Sequence, residues 1–297
     1  MMHWLRRHAT AAGFALTFAL AWGALLPALL RSGGVDAHAH ASPLALALAS
    51  VAPGLAALVL TALLEGRAGL RALWGRVADW RAGWKWYAIA YKGPTVAAGA
   101  ALVVFHLMGG RFPPLSEWDA PLLSTLFLVP LAGLGQETGW RAFLLPRLQG
   151  RFGGLGASVV LGVGWGVWRL PFHLLPDESA GAVAAWMLAG AIPLTVLFTW
   201  VWNRSGARLL PVILLNASTE AILRYGFGAL PDGDLRLLML WDAVLLVLAA
   251  LVLWREGPSL GRRPAIPATA IAVLSADPLT ETATEVRPDR TAVAVAE

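Results

Sequence analysis

The chain has 297 residues, of which 58% are hydrophobic and only 14% charged. A water-soluble domain carries about a quarter charged residues; that composition and a mean hydropathy of +0.64 point instead to a polytopic helical membrane protein. The net charge of +5 comes from arginines in short loops and forms no basic-aromatic surface, which excludes nucleic acid as a partner.

Apolar stretches follow one another at about 10–30, 43–64, 87–109, 121–136, 155–175, 184–203, 208–227 and 235–254, each near the length that crosses a bilayer. The predicted fold is an all-α bundle of about eight transmembrane helices. Basic residues set its orientation. Arg6 and Arg7 precede the first stretch, and Arg67, Arg71, Arg76, Arg81 and Lys85 lie between the second and third. Arg141, Arg147 and Arg151 follow the fourth, Arg204 and Arg208 the sixth, and Arg255, Arg262 and Arg263 the eighth. The alternate loops are poorer in basic residues, so both termini are expected in the cytoplasm. The first stretch reads as a span and not as a cleaved signal, being too long and lacking a small-residue cleavage site. An arginine-rich, lysine-poor composition is that of a GC-rich genome, and a bacterial plasma membrane is the expected location.

The segment Gly66–Trp86 sets Leu70, Leu73, Trp74 and Val77 at helical spacing with arginines between them. It reads as an amphipathic helix on the cytoplasmic leaflet, with a basic loop packed on the bundle as the alternative. Trp80, Trp84, Trp86, Trp186, Trp202 and Trp254 lie near span ends and suit an interfacial belt. The membrane domain is expected to cover 1–256. The tail 257–297, rich in Pro, Thr and Ala without an apolar stripe, reads as disordered. Asp36, His38 and His40 in the first outer loop read as solvated. The chain has no cysteine, hence no thiolate ligand or nucleophile.

Polar side chains within a bilayer need partners or a cavity. Within the spans they are Lys92, His106, Gln136, Glu137, Arg169, His173, Asn216, Glu220, Arg224 and Asp242. Lys92, His106 and Arg224 are close enough to span ends to snorkel, and Asp242 has no evident partner. The others fall on three spans: Gln136 and Glu137 with Arg141 at the end of the fourth, Arg169 and His173 in the fifth, Asn216 and Glu220 in the seventh. Each span offers a pair four residues apart, on one helical face, although Pro171 interrupts the second pair. Three such pairs on three helices are how a bundle builds an internal site.

At Gln136–Gln149 the chain reads QETGWRAFLLPRLQ, at Trp165–Pro171 WGVWRLP, and at Leu214–Glu220 LLNASTE. In these residues, and over about 120–225, it resembles the CPBP family of intramembrane proteases, which contains the CAAX prenyl endopeptidases and the Abi-type immunity proteins. The resemblance implies an eight-helix membrane bundle and an intramembrane metalloendopeptidase with Zn2+ as its metal. Its partners would be membrane lipids and a membrane-associated protein or peptide substrate. It also places the site at Gln136, Glu137, Arg141, Arg169, Asn216 and Glu220. By that correspondence the first glutamate of the family's EExxxR is Gln136, while Glu137 and Arg141 are kept. One family histidine is Arg169, another is Asn216, and the Asn or Asp partner of the latter is Glu220.

These replacements change the chemistry available. The amide of Gln136 accepts no proton at any useful pH, Arg169 stays charged, and zinc takes His, Cys or carboxylate ligands. The expectation is therefore a weakened or absent hydrolytic activity and no bound cofactor. Arg169 is expected at about the metal's place, paired with Glu137, Glu220 or both. A rescued ligand set of Glu137, His173 and Glu220 is the alternative. Beside a CAAX-type protease stands a non-catalytic membrane partner-binding protein, an immunity or maturation factor, and behind both a small transporter.

Overall fold

A computed structural model of the chain describes residues 2–32, 40–111, 131–173, 180–223 and 235–262, without the side chains of 173 and 180–184. All regular structure among these residues is helical. In chain order the helices are α1 (Met2–Arg7), α2 (Ala9–Arg31), α3 (Pro43–Ala78) and α4 (Trp84–Leu107). Helical residues 131–137 then run into a π-helical turn, Thr138–Leu144, that continues as α5 (Leu145–His173). The remaining helices are α6 (Ala180–Arg204), α7 (Leu209–Ala221) and α8 (Arg236–Glu256). The fold is a polytopic all-α membrane bundle.

Six helical stretches are long and apolar enough to cross a membrane. Two of these are too long for one crossing, and glycine breaks both. Leu131–Phe172 has 42 residues, about 60 Å of helix against a hydrocarbon core of about 30 Å. Gly153 interrupts it at φ 70°, ψ −171°, a conformation open to glycine and strained for other residues. α3, at 36 residues, is broken in the same way at Gly66, φ 63°. The fifth expected span, 155–175, corresponds to the half after Gly153, while of the fourth, 121–136, only 131–136 fall within the described residues, at the start of the half before it. α7 has 13 residues, shorter than the expected span 208–227, whose end, including Arg224, lies outside the described residues.

Local sequence explains these elements. Ser42 caps α3, its hydroxyl accepting from the Ala45 amide at 3.2 Å, and Pro43 occupies the first turn where no donor is needed. After Gly66 the chain forms the amphipathic helix read from the sequence, ending at Ala78 rather than Trp86, with Leu73 buried and Trp74 exposed. The turn that follows is fastened by Asp79. Its carboxylate accepts from the Arg81 amide at 3.0 Å and from Arg208 Nε at 2.8 Å. That amide bond, with the Arg208 guanidinium, holds the Asp79 carboxyl below its ordinary range.

Helix α2 packs on α3, α5 on α6, α4 on α7, and α8 on both α6 and α4. The π-turn region is pressed against α3 through two glycines four residues apart. A methyl group on Gly135 would lie 3.0 Å from Val51 Cα, and one on Gly139 would overlap the Pro53 backbone. Small residues at this spacing let membrane helices approach backbone to backbone. Trp86 and Trp202 are buried, with Trp86 edge-on to Trp200 at 5.2 Å. They belong to the core, whereas Trp80, Trp84 and Trp254 are exposed as an interfacial belt requires.

The first residues of the tail expected to be disordered, 257–262, are ordered. Gly257 closes α8 at φ 66° and Pro258 prevents its continuation. The next residues then pack back on the bundle. Leu155 N donates to Pro258 O at 2.8 Å, Asn203 Nδ2 to Leu260 O at 3.1 Å, and Arg262 Nη1 to Gln149 O. Buried backbone carbonyls need donors, and the Leu155 amide of α5 with the Asn203 side chain of α6 brings 257–262 into the membrane unit. Residues 263–297 lie outside the described residues.

Candidate functional site

The run Gln136–Arg141 was expected at the end of a span. It lies instead inside a helix that continues to Gly153, and the helix is locally π-wound there. The Leu145 amide reaches Trp140 O, and such i→i+5 turns are frequent at functional sites. One cause of the irregularity is Pro146, which has no N–H to offer the carbonyl of Ala142 four residues back. That carbonyl is instead served from another element: Arg76 Nη1 of the amphipathic helix donates to it at 2.9 Å. The glycines of the GQETG run face α3, which turns Glu137 and Arg141 toward the opposite side of the helix and Gln136 to its flank, and both Glu137 and Gln136 reach Asn216 of α7.

Glu137 is the centre of the cluster. It is fully buried, and its Oε1 accepts from Arg141 Nη1 at 3.0 Å and from Asn216 Nδ2 at 2.6 Å. The Asn216 amide is also 3.3 Å from Gln136 Oε1. Four of the expected site residues, Gln136, Glu137, Arg141 and Asn216, thus meet in one buried hydrogen-bond network. Arg141 is itself 0% exposed, with its guanidinium 4.4 Å from the Phe198 ring centroid and 5.7 Å from that of Trp165. Aromatic faces attract a desolvated cation. Glu137 Oε2, Asn216 Oδ1, and Arg141 Nε and Nη2 have no hydrogen-bond partner among the described residues.

The remaining pair sits alongside. Arg169 Nη1 donates to Glu220 Oε1 at 2.5 Å, the two side chains being 12% and 18% exposed. Glu220 is one turn beyond Asn216 on α7, so the α7 face that meets Glu137 also meets Arg169. Trp165 lies between the clusters, since the Arg169 guanidinium is 5.0 Å from its ring centroid. Of the two partners expected for Arg169, the structure gives Glu220, while Glu137 Oε1 is bonded by Arg141 and Asn216.

The rings of Trp165 and Phe198 and the donor Arg76 escaped the sequence reading. The first two had the signal of aromatic residues facing a charged helix; the third was legible only as a spare donor opposite a helical proline. The His173 side chain lies outside the described ones, as do Asp36 and His38. Lys92 and His106 are exposed, in keeping with snorkelling. Asp242 packs against Gly190, where a methyl group would overlap its carboxylate, and its Oδ2 has no hydrogen-bond partner among the described residues.

The donor set does not suit zinc. Structural and catalytic zinc sites gather three or four His, Cys or carboxylate ligands, and no group of three such residues is assembled among the described residues. Each of the two carboxylates carries a guanidinium within hydrogen-bond distance, and a fixed cation beside each carboxylate opposes a second, divalent one. What the arrangement does well is satisfy charge. Two carboxylates, two guanidiniums and two amides tie α5 and the π-turn to α7.

Fold and site together define a polytopic membrane protein with a polar network enclosed between helices. The region that bears the network matches a known family model: residues 118–222 are similar to the Type II CAAX prenyl endopeptidase Rce1-like family. The chain is also similar to CAAX prenyl protease 2 of Methanococcus maripaludis, 21% identical over 129 residues, which is 41% of this chain and 46% of that protein. The match thus spans about half the length of this curated relative.

Proposed function

We propose that this protein is an Rce1-like family member that binds membrane-associated proteins or peptides and has lost the hydrolytic chemistry of its relatives. The observation that carries this reading is the occupancy of its carboxylates. Glu137 is held by Arg141 and Asn216, and Glu220 by Arg169, at positions where the family resemblance calls for histidines and a second glutamate. A general base needs a titratable lone pair aimed at water, and a metal needs ligands free of fixed cations. On this reading the protein holds no zinc and serves as a partner-binding immunity or maturation factor. It would work in a bacterial plasma membrane with both termini in the cytoplasm.

A second reading, residual proteolysis of the CAAX type, rests on Glu137 Oε2, which has no hydrogen-bond partner among the described residues, and on the name of the relative. The two are separated by incubating the reconstituted protein with a farnesylated CAAX peptide. The proposed function expects no release of the terminal tripeptide above that of a heat-inactivated sample. Release that disappears in a Glu137→Gln variant would establish the protease instead.

A further inference from the structure

A polar cavity, apart from the Glu137 network, lies between the amphipathic helix and residues 142–147. Its volume is about 330 Å3, and its walls include Thr61, Glu65, Arg76, Phe143, Pro146 and Arg147. Arg147 Nη2 donates to Glu65 Oε1 at 2.6 Å and Nη1 to Phe143 O at 2.7 Å, with the guanidinium 3.8 Å from the Phe143 ring centroid. Arg76 spends one donor on Ala142 O. A guanidinium has five N–H donors, so both arginines retain donors beyond these bonds. Two guanidiniums face one carboxylate, leaving the cavity with an excess positive charge.

Immediately beside it is an apolar groove of about 160 Å3, walled by Val51, Gly54 and Leu58 of α3, by Trp74 and Val77 of the amphipathic helix, and by Leu134. Leu73 lines both spaces. A cationic pocket joined at one residue to an apolar groove, on an amphipathic helix of a membrane protein, has the chemistry of an amphiphile with an anionic head. Basic pockets between membrane helices take phosphate-bearing lipid head groups, and guanidiniums recognise phosphate oxygens in bidentate fashion.

We propose that this junction is a binding site for one anionic phospholipid, its phosphate held by Arg76 and Arg147 and an acyl chain lying along the groove past Leu73. Glu65 competes with the phosphate for Arg147. The bound lipid then clamps the amphipathic helix to the π-turn, at the carbonyls of Ala142 and Phe143 just beyond Arg141.

The test uses the full chain in a neutral detergent, with bound ligand counted by native mass spectrometry. Phosphatidylglycerol, phosphatidylcholine and inorganic phosphate are titrated separately. The expected result is one saturable phosphatidylglycerol per chain, with neither phosphatidylcholine nor phosphate retained. Arg76→Gln and Arg147→Gln should each weaken retention about fivefold, the scale of one arginine at an anionic surface. Glu65→Gln should strengthen it. Arg71→Gln removes the same charge from the exposed face of the same helix and should change nothing. Equal weakening by Arg71→Gln, equal retention of phosphatidylcholine, or retention of phosphate in place of the lipid would each overturn the proposal. Should Arg147→Gln fail to fold, Arg76→Gln and Glu65→Gln still decide it.

Discussion

Glu137→Ala is expected to unfold the protein more readily, by roughly 3–5 kcal/mol, the cost of removing one partner from a buried ion pair. Arg141 is entirely enclosed, so without Glu137 its guanidinium is left with aromatic faces and, among the described residues, no ion-pair partner. The same substitution frees the Asn216 amide from its shorter bond, adding an unsatisfied buried donor. Thermal unfolding in detergent measures the loss. A double variant, Glu137→Ala with Arg141→Met, should recover much of it, because the stranded charge is gone. Glu220→Ala should cost less, since that pair retains some exposure and water can screen the arginine left behind. A carboxylate held for chemistry gives the opposite pattern, in which its removal abolishes activity and leaves stability unchanged or improved.

Restoring the family residues should damage the protein rather than revive it. Gln136→Glu sets a second carboxylate at the Asn216 amide that Glu137 already uses, and like charges sharing a site repel. Asn216→His removes the amide that bridges Gln136 and Glu137. Arg169→His exchanges the guanidinium that neutralises Glu220 for a shorter ring. The first two changes disturb buried hydrogen-bonded groups, at about 1–3 kcal/mol apiece, and the third a partly exposed one at less. Together they consume a sizeable part of an ordinary fold's margin of ~5–15 kcal/mol. The triple variant is therefore expected to unfold at a lower temperature and to elute in part as aggregate. A monodisperse triple variant of unchanged stability that takes up zinc would contradict the account, since the pocket would then have kept its ancestral shape.

The sequence exposes some of this architecture directly. Long apolar stretches predict the spans because a bilayer demands them, and the pairs Glu137–Arg141 and Asn216–Glu220 follow from helical periodicity. Which arginine meets which glutamate across helices does not follow, because a rotation of α7 by part of a turn exchanges the partners. The continuation of the helix through Gln136–Arg141 was equally hidden. A polar run after an apolar stretch looks like a span end unless the glycines at 135 and 139 are seen to lie against α3. The repair of the Pro146 gap by Arg76, 66 residues earlier than Ala142 in sequence, is a long-range contact that no local pattern encodes. The same holds for Gln149 and Asn203, which draw 257–262 onto the bundle past a Gly-Pro signal that locally reads as the end of structure.

The central claim is that guanidiniums stand where a metal centre would need open ligands. The most direct measurement is the transition-metal content of the full-length protein, purified without chelators and supplied with zinc before extensive washing. The account expects far less than one zinc per chain. One tightly held zinc per chain, lost on Glu137→Ala, would contradict it and return Glu137 to the role of a ligand.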